Sequence, residues 1–242
     1  MISAINRLYR IFFCRGGYGV HSPFVFDLIT NVIEENRLYY CYDPLNAARL
    51  QLLRDNREII LGNRTSTIRK ILNLNCFAEQ EHRFLFRLAN RFQPETIYVA
   101  GSDFGLTPLY LTAYSRKSNC IVFEPELAVA DIARDCIKKY ALASIDICSR
   151  IPDIPDDIDL IVWGNSFTGV SFSVKEFERF LTNINEDSIM VFSGINRSPE
   201  NRKNWNAICK HSEVIISLDL YSLGIVFFNP KLYRKIYKNI VL

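Results

Sequence analysis

The most constraining stretch of this 242-residue chain runs from Thr96 to Glu124, TIYVAGSDFGLTPLYLTAYSRKSNCIVFE. It opens on an apolar run, Ile97-Tyr98-Val99-Ala100, which reads as a buried strand. The turn Gly101-Ser102-Asp103-Phe104-Gly105 follows, then an apolar helix from about Leu106 to Ser115. A second apolar run, Cys120 to Phe123, ends on Glu124, nineteen residues after Gly105. Strand, glycine turn, helix, strand and terminal acid make one βαβ unit of the nucleotide-binding kind. Glycine lets backbone approach a ligand closely, and a helix N-terminus offers unpaired N–H groups. A carboxylate at the tip of the second strand can accept two ribose hydroxyls. A plain tight strand-to-helix turn leaves the same pattern, so both readings stand at this point.

The chain after this unit keeps alternating, which predicts a parallel sheet. A helix over Glu126–Tyr140 leads to a strand at Ser144–Cys148. Further strands are expected at Asp159–Trp163 and Ser188–Phe192, with a helix over Val174–Asn183 between them. A helix over Pro199–Lys210, capped by Ser198, follows. The last two apolar runs, Glu213–Leu220 and Leu223–Phe228, are joined only by Tyr221-Ser222, which demands an antiparallel hairpin.

Before Thr96 the spacing is helical. Residues 2–13 place Ile5, Leu8, Tyr9 and Phe12 on one side. Ser22 and Pro23 start a helix to about Glu35, and others cover Pro44–Arg57, Ile68–Leu72 and Glu79–Arg91. The polar segment Gly62–Thr67 reads as a connection. The expected division is therefore a helical extension over 1–93 and a Rossmann-like domain over 94–242.

Composition excludes several classes. The longest uncharged stretch, Leu160–Val174, contains Gly164, Asn165 and Gly169, too short and broken to span a bilayer. Seven scattered cysteines without a CxxC pair read as reduced, mostly buried thiols, so a cytoplasmic location is expected. The net charge is +5 over residues 1–93 and −2 over the rest. No like-charge run is dense, so this basic half reads as a solvated helical face, and nucleic acid is not an expected partner.

Glycine turn, acid-tipped second strand and closing hairpin together resemble a class I S-adenosylmethionine (SAM) dependent methyltransferase. GVHSPFVFDLITNVI (Gly19–Ile33), RFLFRLANRFQPETIYVAGSDFGLT (Arg83–Thr107), INRSPENRKNWNAICK (Ile195–Lys210) and LDLYSLGIVFF (Leu218–Phe228) resemble bacterial O-methyltransferase-like proteins with a helical N-terminal extension. That resemblance implies a sheet of seven strands, mostly parallel with the last hairpin antiparallel, under a helical cap. It implies SAM contacts at Gly101, Ser102, Asp103 and Gly105, with Glu124 on the ribose. The acid usual two places before the first glycine is Val99 here.

Related enzymes hold a divalent cation with acids at the ends of their fourth and fifth strands. Gly164, Ser193 and Gly194 stand there in this chain. Two glycines and a neutral hydroxyl make a poor set for a hard cation, so no metal is expected. Trp163, Asn165, Ser193 and Asn196, with Phe167, are the candidate pocket residues. For Trp163, Asn165 and Phe167, core packing and loop turning are the rival reading. Asp103 could pair with a cofactor ammonium or cap the next helix. Of the histidines, His21 could serve as a base if the fold brought it over the pocket, while His82 and His211 are expected on helix surfaces.

Three functions follow as expectations. The first is metal-independent methyl transfer to a small molecule. The second is a degenerate methyltransferase fold serving as a binding or scaffold protein for an unidentified partner. The third, ranked last, is an RNA-contacting module. A homodimer stays open.

Overall fold

The structure, a computed structural model, describes residues 20–164 and 172–238. The expected helix at 2–13 and the candidates Asn165 and Phe167 lie outside them. Ser22 does cap α1 (Pro23–Leu28), accepting from the Val25 amide, and the helix runs on as a π turn over Ile29–Ile33. Its last carbonyls are satisfied by a buried cation: Arg87 donates from Nε to Val32 O and from Nη2 to Ile33 O, at 2.6 and 3.0 Å. Free carbonyls at a helix end and a guanidinium fork are complementary.

Next come α2 (Tyr42–Arg54), β1 (Glu58–Leu61), β2 (Arg64–Thr67), α3 (Ile68–Asn75) and α4 (Glu79–Phe92). The hairpin β1–β2 corrects the reading of Gly62–Thr67 as a plain connection. Gly62, at φ +54°, makes the turn, and Leu61 pairs with Arg64 across it.

The sheet comprises β3 (Thr96–Ala100), β4 (Asn119–Phe123), β5 (Ser144–Cys148), β6 (Leu160–Trp163), β7 (Ile189–Ser193), β8 (Ile216–Asp219), β9 (Leu223–Phe227) and β10 (Lys235–Tyr237). Its order is β10-β8-β9-β7-β6-β3-β4-β5. Within it only β9 runs antiparallel, against both β7 and β8. The expected seven strands are all present, and β10 adds an eighth, parallel to β8. The helices between them are α5 (Leu106–Thr112), α6 (Leu127–Tyr140), α7 (Val174–Phe180) and α8 (Pro199–Ile208).

Alternation along the strands sends side chains to two cores. Ile97 and Val99 of β3 join Val162, Val191 and Ile225 beneath α1 and α4. Tyr98 and Ala100 join Trp163, Phe192 and Val226 beneath α7 and α8. The helical segment before Thr96 therefore shares its core with the sheet. Strand β3 lies between β4 and β6, so successive connections leave it on opposite sides. That reversal opens a crevice at the carboxyl ends of β3 and β6, where sheets of this kind receive ligands.

Candidate functional site

Past Ala100 the chain turns at Gly101, with φ +90°, whose amide donates to Phe123 O at 2.9 Å. Gly164, at the end of β6, donates to Ala100 O at 2.8 Å. A Cβ on Gly164 would come within 3.1 Å of both Ala100 O and Gly101 O. The two strand ends thus meet through bare backbone, too closely to admit a side chain at Gly164, and the Gly101–Gly105 turn beside them is the candidate cradle. Gly105, at φ +91°, closes the turn, and its Cβ would meet Ala133 O at 3.0 Å.

Between these glycines, Asp103 and Phe104 both adopt left-handed backbone, with φ of 48° and 57°. Each costs about 1–2 kcal/mol in a non-glycine residue, so something must hold them. The cap does. Asp103 Oδ2 accepts the Phe77 amide and the Thr107 hydroxyl, each at 3.0 Å. Phe104 is fully buried with Leu52, Ile68 and Leu72. Asp103, expected as a cofactor contact or a helix cap, is instead 1% exposed and turned into the cap.

Ser102 and Glu124 do come together. Glu124 is 1% exposed; its Oε2 accepts from Ser102 N at 3.0 Å and Ser102 Oγ at 2.8 Å, and Oε1 from Glu126 N at 3.3 Å. Burial raises its pKa, the Ser102 and Glu126 donors oppose that, and the nearby Asp103 charge adds to it. Among the described residues Oε1 holds only that one long bond. Val99 is fully buried and gives the cradle no carboxylate.

His82 overturns its assignment to a helix surface. It is 0% exposed, stacked on Tyr110 at 5.0 Å, and its Nε2 lies 3.2 Å from Thr107 Oγ1 and 3.6 Å from Asp103. Arg49 Nη1 approaches Nδ1 at 3.4 Å and donates to Phe77 O at 2.9 Å. Burial lowers the His82 pKa more than the Asp103 bond raises it, so the ring is neutral at pH 7. Arg49 and Thr107 escaped sequence reasoning, and His82 was assigned to the wrong side of its helix. Helical spacing from Leu85, Phe86 and Ala89 was a usable signal for His82.

Trp163 is core, not pocket: it stacks on Phe192 at 4.8 Å and meets Phe180 edge-on. Ser193 and Asn196 line a cavity of about 260 Å³ between the cap and the β7 end, with Leu74, Glu81, Gly194, Arg197, Tyr221 and Ser222. Asn196 Nδ2 donates to Tyr221 O at 2.7 Å, and Arg197 Nη2 bridges to Leu74 O at 2.9 Å.

A larger cavity, about 590 Å³, opens at the other end of the strands among Phe24, Phe92, Thr96, Asp159, Glu186 and Phe227. His21, three residues before Phe24, belongs to that end. Five strand residues at about 3.3 Å each separate the ends by roughly 16 Å, which removes His21 as a base for the cradle. Among the described residues no three His, Cys, Asp or Glu side chains form a cation-holding group, and no helix is long and apolar enough to cross a membrane.

No protein-family model matches the chain, and no curated protein does. Solved structures do. A methyltransferase from Geobacter sulfurreducens is 15% identical, covering 81% of this chain and 92% of its own, with a TM-score of 0.59. The O-methyltransferase TomG from Streptomyces achromogenes, involved in tomaymycin synthesis and solved with SAM, is 11% identical, covering 95% and 99%, with a TM-score of 0.53. An O-methyltransferase from Bacillus cereus, solved with S-adenosylhomocysteine (SAH), is 12% identical, covering 85% and 96%, with a TM-score of 0.52. The chain has the fold of these methyltransferases.

Proposed function

We propose that this protein binds SAM and, without a metal, methylates a small molecule. The observation that carries the reading is Glu124 just past the end of β4, tied to Ser102 of the glycine turn, beside strand ends that meet as bare backbone at Gly101 and Gly164. Glu124 would take the ribose hydroxyls, Ser102 would hold the carboxylate in place, and the Gly101–Gly105 backbone would lie along the rest. SAM supplies a methyl already activated on a sulfonium. The protein's task is then to bind, align and exclude water, and alignment alone can supply several kcal/mol of the barrier. Gly164, Ser193 and Gly194 offer no carboxylate, which is why the reading omits a cation. Free thiols at Cys41, Cys76, Cys120, Cys136, Cys148 and Cys209 suit a reducing, cytoplasmic compartment.

Calorimetry with SAM and SAH tests this. Saturable binding that Glu124→Ala weakens by ~1–3 kcal/mol is expected, the cost of leaving polar groups unpaired. One observation favours a second reading, a scaffold that has given up the cofactor. Ser102 already occupies one Glu124 oxygen twice, and Asp103 faces away. No thermal shift at millimolar SAM would select that reading.

A further inference from the structure

We infer that the cavity between the cap and the β7 end is the acceptor site, taking a small hydroxyl compound whose proton is accepted by Glu81. The inference rests on the methyltransferase reading above. Its starting point is an unpaired group: Ser193 lines the cavity, is 4% exposed, and its Oγ has no hydrogen-bond partner among the described residues. Burying a hydroxyl without a partner costs free energy that a ligand can recover. Glu81, half-buried on the first turn of α4, lines the same cavity. Its Oε2 accepts the Ala78 amide at 2.7 Å, which fixes the carboxylate, and its Oε1 has no partner among the described residues.

The floor is rigid. Gly194 at φ +66° and Tyr221 at φ +73° hold two turns that are stitched by Gly194 N donating to Ser222 O at 2.7 Å. Left-handed backbone at a non-glycine residue such as Tyr221 is the strain that binding sites store. The cavity's 260 Å³ equals about eight or nine waters at ~30 Å³ each, the size of a one-ring compound. Strand spacing of about 4.8 Å puts the ends of β3 and β7, with β6 between them, roughly 10 Å apart, within reach of a ligand lying in the cradle. In methyl transfer from a sulfonium donor, the acceptor O–H proton passes to Glu81 Oε1 and the oxygen lone pair forms the new O–C bond. The electron pair of the broken C–S bond stays on sulfur.

The test titrates phenol, benzyl alcohol and 4-nitrophenol into the full-length protein by ligand-observed NMR, with SAH calorimetry alongside. At least one of the three should bind saturably. Glu81→Gln should melt like wild type, since glutamine serves equally at this capping position, yet bind that probe about tenfold more weakly. Leu74→Trp, on the exposed rim, should block the probe without touching the core. Equal binding by Glu81→Gln and wild type, binding that survives Leu74→Trp, or no saturable binding of any probe overturns the assignment even when SAH binds normally. Failure of wild type to bind SAH counts against the cofactor reading instead.

Discussion

Ser102 gives both its amide and its hydroxyl to a single oxygen of Glu124, at 3.0 and 2.8 Å. Even so, burial dominates and holds the Glu124 pKa above its ordinary 4.5. An acid raised on folding binds its proton more tightly in the folded chain. Stability is therefore lost as pH rises through 4.5, and the whole cost is present above the raised folded value. Glu124→Gln removes that cost. Its thermal midpoint should equal or exceed that of wild type at pH 7, and the gap should close as pH falls towards 4.5. SAM affinity should fall in the same variant.

His82 titrates in the opposite sense. Its pKa is pushed below 6.5, mainly by burial, so between that lowered value and 6.5 the unfolded chain binds a proton that the folded one refuses. Wild-type stability should drop as pH falls below 6.5. His82→Phe keeps a ring against Tyr110 and should cost ~1–3 kcal/mol at pH 7, because the Thr107 hydroxyl and the Arg49 guanidinium are left without their imidazole partner. Its melting temperature should fall less than that of wild type between neutral and mildly acid pH. Parallel curves would refute the assignment of the acid loss to this ring.

Gly224 is held small by Trp205. A Cβ there would lie 2.6 Å from the indole carbons of a fully buried ring. Gly224→Ala should cost about 1–3 kcal/mol through overpacking, read as a lower denaturant midpoint at unchanged slope.

Phe104 ties the glycine turn to the cap. Phe104→Ala empties a fully buried site between α2, α3 and the turn, and should cost ~3–5 kcal/mol in chemical denaturation. Because it also releases the left-handed turn, SAM affinity should drop in conditions where the variant is still folded.

Mg²⁺ and Mn²⁺ should give no micromolar binding in calorimetry. A binding isotherm abolished by Ser193→Ala would place a cation at the strand ends after all.

Local signals carried far in this sequence. The Ser22 and Ser198 caps, each followed by proline, start helices where their chemistry says they must. The two-residue Tyr221-Ser222 link produced the antiparallel β9. What stayed hidden depends on distant partners. Strand β2, Arg-Thr-Ser-Thr, has no apolar alternation, and Lys235–Tyr237 pairs only because β8 presents an edge. The direction of Asp103 was open because either side of a glycine turn could take it. The Phe77 amide decided, twenty-six residues upstream. Trp163 reads as pocket or core with equal ease until Phe192 and Phe180 are seen around it.

The turn at Asp103-Phe104 sits in a shape its own residues disfavour, clamped by a histidine-lined network around Asp103 and by the burial of Phe104 against the preceding helices. A version of this chain cut back to the eight-stranded sheet would lose both the partners that hold this turn and half of the core that its strands share with the helices before them. Transplanting the loop sequence alone into another sheet would carry the letters without the posture.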